Sequence, residues 1–462
     1  MTSSSAANPH TQALATCVAG MTYDAIPEEV RTRVKLLILD ALGCGIYGST
    51  RHHVALLSNT LRNTDRTLSC SQWATPHRLS APHAALVNGT MVQGFELDDT
   101  HHRGTLHGGS VILPTVVALS ELRDVSGRDF LTAVIAGYEV GSRVGMCMGQ
   151  EHLAQGWHAP ATLGTFAAAA AAASCLRLPA DQAVHALGIA GTQACGLMAA
   201  QYGAMVKSMH AGRAAQSGLY AACLAEAGFT GIMNVFESEY GGFCTTFSRS
   251  QDRFRLGELS SELGSRYETL QVTLKFYSCA ASIHNTLDAI RLVHTRRPFT
   301  ADEVDTVVVH GSKSTVDHVG FKYSPDGLTA AQMNLSYCTA TMLLEGDVFV
   351  DQFSESARTD ARRVALAAKV TMREDPAITA KGAPARHLSR VHVRLTDGSE
   401  YEETVGAGHG SGFASEAEVV GKFSKLARCV YPQNMCDDIV NRVLALEKVQ
   451  NAKSLTALLA LK

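Results

Sequence analysis

Gly94-Phe95-Glu96-Leu97-Asp98-Asp99-Thr100-His101-His102-Arg103-Gly104-Thr105-Leu106-His107-Gly108-Gly109-Ser110-Val111-Ile112-Leu113-Pro114 holds the densest cluster of titratable groups in the chain. Glu96, Asp98, Asp99, His101, His102, Arg103 and His107 all fall within a dozen residues. An apolar run at helical spacing, Ala84 to Val92, leads in, and a second begins at Val111. The stretch therefore reads as the joint between two helices, a place that can be buried and still open onto a cleft. A solvated turn would hold the same residue types. Gly104, Gly108 and Gly109 favour a site, because backbone without a Cβ turns tightly and lets a ligand come close.

Outward from this joint the chain reads as helix. Residues 81–96, 111–123 and 128–147 carry helical spacing, broken by Asp124-Val125-Ser126-Gly127. Upstream, Pro27-Glu28-Glu29 opens a helix with proline in its first turn and acids facing its dipole. Val30, Val34, Leu37, Ile38 and Ala41 recur along it, and Gly43 and Gly48 weaken its end. Downstream, the alanine tract Ala167 to Ala173 reads as a buried central helix that neighbours can approach closely. Pro179 begins another helix through Ala190, and His210 to Gly228 forms one more, with Ala214, Ala215, Leu219, Cys223 and Leu224 as its buried stripe.

After about Leu270 the period changes. Thr306 to Val309 is β-branched, Arg390 to Leu395 alternates, and Asp397-Gly398 supplies a two-residue hairpin turn before Tyr401. Helical spacing returns with a capping box at Ser415 and Glu418 and continues through Val440, Val443 and Leu446. The mixed α and β unit is thus expected as an insertion between helices from the two chain ends.

Composition narrows the function. At 462 residues two domains are the default, and 46% hydrophobic with 18% charged residues suits a well-packed soluble protein. A net charge of −3 without any Lys/Arg block argues against nucleic acid. The polar start, Met1 to Asn8, lacks a basic region leading into an apolar one, and Asp24, Glu28 and Glu29 precede the first arginine, Arg31, so neither a secretory nor a transit peptide is expected. The most apolar run, Leu163 to Leu176, is too short to span a bilayer, so no membrane partner is expected. Twelve cysteines stand singly without a Cys-x-x-Cys pair, which predicts reduced thiols in the cytoplasm.

Three further clusters bear on chemistry. Gly156-Trp157-His158-Ala159-Pro160 sets an imidazole just before a helix N-terminus, a position that attracts carboxylates. Lys207, His210 and Arg213 follow three residues apart at the head of an apolar helix, which predicts one shared cationic face among Met205, Val206 and Met209. Lys275-Phe276-Tyr277-Ser278-Cys279, followed by His284, lies where the helical pattern gives way to the mixed unit, and pockets favour domain borders. Each histidine here could equally serve structure. No nucleophile elbow, P-loop or dinucleotide fingerprint accompanies them. Cations and imidazoles with acids nearby suit a small polycarboxylate handled by proton transfer, Lys207 and Arg213 holding carboxylates.

At these residues the chain resembles the MmgE/PrpD family, which includes 2-methylcitrate dehydratase, cis-aconitate decarboxylase and iminodisuccinate epimerase. The resemblance spans nearly the whole length. It is carried by Leu36-Leu37-Ile38-Leu39-Asp40 with Gly43, by Glu96-Leu97-Asp98-Asp99 to His107, by Gly156-Trp157-His158, by Met205-Val206-Lys207 through His210-Ala211-Gly212-Arg213-Ala214-Ala215, and by Leu224 to Phe229. Thr192 to Met198 followed by Ala200-Gln201-Tyr202-Gly203 looks most like the fungal cis-aconitate decarboxylases.

The resemblance implies a mainly α fold: a large all-helical domain from both chain ends, residues 1–268 and 409–462, with a smaller inserted α+β lid, residues 269–408. It implies a homodimer without metal or organic cofactor, acting on a citrate-type tricarboxylate between the domains. Carried over by position, Glu96, Asp99, His107, His158 and Lys207 become the catalytic candidates. His102, Arg103, His210, Arg213, Lys275, Tyr277 and Cys279 complete the substrate-binding set. The chain departs after Phe276, where some decarboxylases have a histidine and this one has Ser278-Cys279, so that Cys279, Tyr277 or His284 would replace it. The expected reaction is decarboxylation of cis-aconitate to itaconate, Lys207 and His158 gripping carboxylates and His107, oriented by Glu96 and Asp99, delivering the proton. Dehydration of a 2-methylcitrate or longer alkylcitrate, epimerisation, carboxylate binding without turnover, and a metal hydrolase built on Asp98, Asp99, His101 and His102 remain the competing expectations.

Overall fold

The expected face of the Glu28–Gly48 helix, Val30, Val34, Leu37, Ile38 and Ala41, is buried, and from Leu36 to Gly48 every residue is buried. The helix ends at Gly48, and its glycines also serve packing. A Cβ on Gly48 would lie 1.9 Å from the Met91 carbonyl oxygen and one on Gly43 3.2 Å from the Phe423 backbone, so they let two other helices lie directly against it. This computed structural model describes residues 8–149, 151–325, 327–382, 385–406 and 414–461; residues 1–7 and the expected boundary at 408/409 lie outside them.

The fold is mainly α. The alanine tract lies in the helix Ala159–Cys175, buried along nearly all its length. Two helices sandwich it, Gly127–Met148 and Val206–Glu226. Each meets it through a glycine: a Cβ on Gly141 would lie 2.5 Å from that of Ala167, and one on Gly218 2.4 Å from that of Ala168. Interiors this dense tolerate little added volume.

Boundaries differ from expectation where glycine or tertiary packing intervenes. The first helix of the joint, Ala81–Val92, stops short of residue 96 because the chain turns through Gly94, and Glu96 takes a left-handed φ of 55°. The helix expected from His210 starts at Val206 and ends at Glu226, where Gly228 at φ 88° lets the Phe229 amide donate to the Leu224 carbonyl. Leu224 itself is 38% exposed, outside the buried stripe.

Beyond residue 270 a four-stranded sheet runs in the order Val370–Glu374, Val304–Gly311, Ser389–Leu395, Glu400–Val405, the first pair parallel and the others antiparallel. The helix Ala281–Arg296 packs on its last two strands. The hairpin loop has three residues, Thr396 to Gly398, not two, since the Leu395 amide donates to Ser399 O and Gly398 takes φ 88°. Helix returns at Glu416–Ala427, opened by the Ser415–Glu418 capping box. It lies on Glu28–Gly48, where the buried Lys422 Nζ meets Asp40 Oδ1 at 2.5 Å and donates to Leu97 O at 2.7 Å. No described helix is long and apolar enough to cross a membrane.

Helices Ala81–Val92 and Val206–Glu226 touch at Gly89 and Gly212, where a Cβ on Gly212 would sit 2.0 Å from the Leu86 carbonyl oxygen. Gly212→Ala should therefore cost about 1–3 kcal/mol, read as a lower midpoint in urea at unchanged slope. An unchanged midpoint would show that the crossing has slack.

Candidate active site

Glu96 joins three distant segments. Its Oε1 pairs with Lys207 Nζ, and its Oε2 lies 3.5 Å from Lys275 Nζ. Lys207 comes from the first turn of Val206–Glu226, which the Gly89/Gly212 contact brings beside the joint. Lys275 arrives through a short antiparallel pair, Thr100 with Thr273 and His101 with Val272. Ser278 Oγ and Gln332 Nε2 both donate to the Phe95 carbonyl, at 2.7 and 2.9 Å, and hold the turn that puts Glu96 at positive φ. Burial would raise the Glu96 pKa, yet Lys207 and Lys275 together hold it well below the usual carboxylate range. Lys275 is held above its ordinary value by Glu96 and Asp98 although burial acts to lower it.

His107 stands on the same wall, half-buried. Its Nδ1 lies 2.8 Å from the Asp99 carbonyl oxygen and 3.4 Å from Asp98 Oδ2. A carbonyl only accepts, so Nδ1 carries the proton and Nε2 is the nitrogen left for a reacting group. The carboxylate beside the imidazole is therefore Asp98, not Asp99 or Glu96. Asp98 is buried and held below its ordinary pKa by His107 and Lys275 against the push of burial. Asp99 orients His107 through its backbone, while its Oδ1 accepts from the Gly109 amide at 2.8 Å and caps the helix Gly109–Leu122. Gly104, Gly108 and Gly109 likewise make room for protein rather than ligand, since a Cβ on Gly108 would strike the Tyr138 ring at 2.3 Å.

His158, the residue preceding the helix Ala159–Cys175, lines the same cavity. Its Nδ1 lies 2.9 Å from Nδ1 of His210, so one ring donates and the other accepts. Burial, with Lys207 nearby, drives the His158 pKa well down, and His210 is lowered by the same two causes. His158 thus offers a hydrogen bond, not a charge.

Glu96, His102, His107, His158, Lys207 and Lys275 line one cavity, of about 610 Å³ with the solvent at its mouth included. His102 stands at that mouth, its Nε2 3.0 Å from Thr273 Oγ1. A roomier cavity beside the helix Pro9–Gly20 has no acid, imidazole or cation in its wall and so lacks groups for proton transfer near neutral pH.

Several expected residues lie elsewhere. Arg103 is exposed and reaches toward Glu258 at 3.6 Å. Arg213 is exposed and donates to Gln216. At 3.6 residues per turn it lies about 120° around the helix from Lys207, too far to share its face. Tyr277 donates to Asp288 Oδ1 at 2.7 Å and lines a different cavity with Phe276 and Lys422. Cys279 is fully buried outside the cavity lining; burial raises its pKa, but Cys338, His284 and Lys275 bring it below the ordinary thiol value. His101 turns to Glu268, with Nε2 3.1 Å from Oε2, and so diverges from His102. Among the described residues no three His, Cys, Asp or Glu side chains are placed to hold a metal ion.

The reading of the sequence missed a third wall, Ser282, His318, Arg386 and His387, contributed by the mixed segment. Only the cation-imidazole pair Arg386-His387 beside a strand could have flagged it.

Burial, with Asp98 and Asp40 adding to it, raises the Asp99 pKa to about 7. Because the folded value exceeds the unfolded one, the contribution of Asp99 to stability is full below about pH 4 and declines as pH rises through about 7. In urea unfolding at several pH values, the stability of the wild type relative to Asp99→Asn should fall by up to about 1.4 kcal/mol per pH unit across that window and then level off. A flat difference would mean that Asp99 is ionised throughout.

Comparison with known proteins identifies the family. The model of the MmgE/PrpD N-terminal domain matches residues 12–255, and that of the MmgE/PrpD C-terminal domain matches residues 277–446. The chain is 34% identical to the cis-aconitate decarboxylase-like protein oryM of Aspergillus oryzae, over 94% of each chain. It is 32% identical to a cis-aconitate decarboxylase of Aspergillus terreus, over 96% of this chain and 94% of that one. Identity to the human cis-aconitate decarboxylase is 27%, over 97% of this chain and 94% of the relative. The chain belongs to the MmgE/PrpD family and is a lyase.

Proposed function

We propose that the protein decarboxylates cis-aconitate, or a close homologue, to itaconate. The observation that carries this reading is His107, whose Nδ1 is committed to the Asp99 carbonyl while Asp98 lies 3.4 Å away to stabilise the imidazolium. That arrangement is a general acid with one free nitrogen. The names of the relatives support the same substrate.

Lys207 and Lys275 attract the substrate carboxylates, and neutral His158 adds a hydrogen bond. The bond from the saturated CH2 carbon to its carboxyl carbon breaks, and carbon dioxide leaves. The electron pair spreads over the allyl system into the conjugated carboxylate, the double bond moves to the former CH2 carbon, and His107 Nε2 gives its proton to the carbon next to the remaining terminal carboxylate. Buried cations and a low dielectric stabilise the developing charge. Cys279 takes no part in this scheme, and neither does Tyr277.

The segment 269–408 supplies the third wall and would act as the lid on the helical domain of residues 1–268 and 409–462. Twelve free thiols suit a cytoplasmic enzyme. Leu197, Tyr202, Met205, Phe229, Ile232 and Met233, each between 37% and 64% exposed, suit burial against a second copy in a homodimer. Sedimentation should give twice the chain mass, and Phe229→Glu should shift it toward the monomer. A monomeric wild type at micromolar concentration would remove the dimer.

Proton NMR of the chelator-treated protein in deuterated buffer, with cis-aconitate, citrate and 2-methylcitrate run separately, tests the reaction. Vinylidene signals of itaconate should grow from cis-aconitate alone. Conversion only of a citrate-type substrate would identify a dehydratase, and deuterium exchange without net conversion an epimerase. His107→Gln should lower kcat by roughly 10²- to 10⁴-fold at unchanged circular dichroism. Activity within threefold of the wild type would remove His107 as the proton donor.

A further inference from the structure

Arg386 is not used by that scheme, yet it lines the same cavity and is only 6% exposed. Its guanidinium forms no ion pair among the described residues, and its Nε is buried without a hydrogen-bond partner. The residue is anchored, not loose. Its carbonyl oxygen accepts from Ser312 Oγ at 2.8 Å and from Thr315 Oγ1 at 2.7 Å, and the carbonyl of His387 accepts from Asn285 Nδ2 at 2.6 Å. Beside it, His318 Nε2 and His387 Nδ1 are likewise buried and unpartnered. Burial and the nearby Arg386 lower the His318 pKa to about 3, so that ring contributes a hydrogen bond and no charge.

Arg386 differs from the other cationic groups of the cavity in having no carboxylate beside it. Lys207 pairs with Glu96, Lys275 lies 3.5 Å from Glu96 and 3.8 Å from Asp98, and His107 lies 3.4 Å from Asp98. Arg386 has no such counterpart among the described residues. An unpaired buried cation is costly unless an anion meets it, and a planar guanidinium suits a carboxylate in bidentate contact.

We propose that Arg386, flanked by His318 and His387, binds a carboxylate of the substrate other than the one held at Lys207, so that a tricarboxylate engages both groups. This rests on the reading of the cavity as a polycarboxylate site. It makes Arg386 the residue that separates three-carboxylate ligands from two-carboxylate ones.

Calorimetric titration of the full chain with tricarballylate and with methylsuccinate, which lacks one terminal carboxylate, tests this. The wild type should prefer tricarballylate. Arg386→Gln should weaken tricarballylate by roughly 10- to 100-fold and methylsuccinate by far less, so that the preference collapses, and Arg386→Lys should restore part of it. Equal weakening of both ligands, or of neither, would overturn the assignment and leave Arg386 a structural residue. Absence of saturable binding of either ligand to the wild type would remove the polycarboxylate reading together with it. A collapsed preference in a protein that makes no itaconate would retain the Arg386 site and reject only the decarboxylase.

Discussion

The ion pairs of Glu96 with Lys207 and Lys275 constrain everything around them. Three like or unlike charges taken out of water are stable only when each finds its partner in good geometry, and these come from residues 96, 207 and 275. The backbone must therefore turn at Glu96 with positive φ, the Val206 helix must cross the Ala81 helix at glycine contact, and the segment at 273 must pair with Thr100. Lose one of these and a charge is left buried without its counterion.

A second buried pair extends the same logic. Lys422 binds Asp40 and the Leu97 carbonyl, tying the C-terminal helix Glu416–Ala427 and the N-terminal helix Glu28–Gly48 to the loop that carries Glu96 and Asp98. The long separation along the chain is bridged by charge at a point where Phe423 meets Gly43. Both chain ends thus bear on the site. The close helix contacts do the rest, with alanine and glycine replacing larger side chains so that backbones approach and long lysines reach inward.

Within the site, environment sets each group apart. Glu96 and Asp98 are held ionised by the cations beside them, Asp99 is pushed up by burial and by its acidic neighbours, and His158 is kept neutral by burial beside Lys207. Adjacent carboxylates, Asp98 and Asp99, are therefore shifted in opposite directions although they differ by one position. His107 combines a fixed donor nitrogen with partial exposure to the cavity.

Much of this was legible in the sequence. Helical periodicity, the alanine tract, the Ser415–Glu418 box and the change of period near Leu270 each report local physics, so the mainly α fold and the strands at Thr306 and Arg390 could be read directly. The motifs at Glu96, His107, His158 and Lys207 drew the family resemblance, and the four residues line one cavity. What could not be read was direction. Whether Asp98 or Asp99 turns to His107 depends on which one the Gly109 amide captures, and Arg213 leaves the face of Lys207 because helix pitch does not repeat every three residues. Glycines at 43, 48, 108 and 109 could not reveal whether they admit ligand or protein, since the atoms they admit belong to Phe423, Met91, Tyr138 and Asp99. The wall of His318, Arg386 and His387 had no periodic signal at all. Secondary structure follows from neighbours along the chain, whereas burial, pairing and protonation of these groups follow from contacts that span from 8 to 179 positions, and only the tertiary structure brings those together.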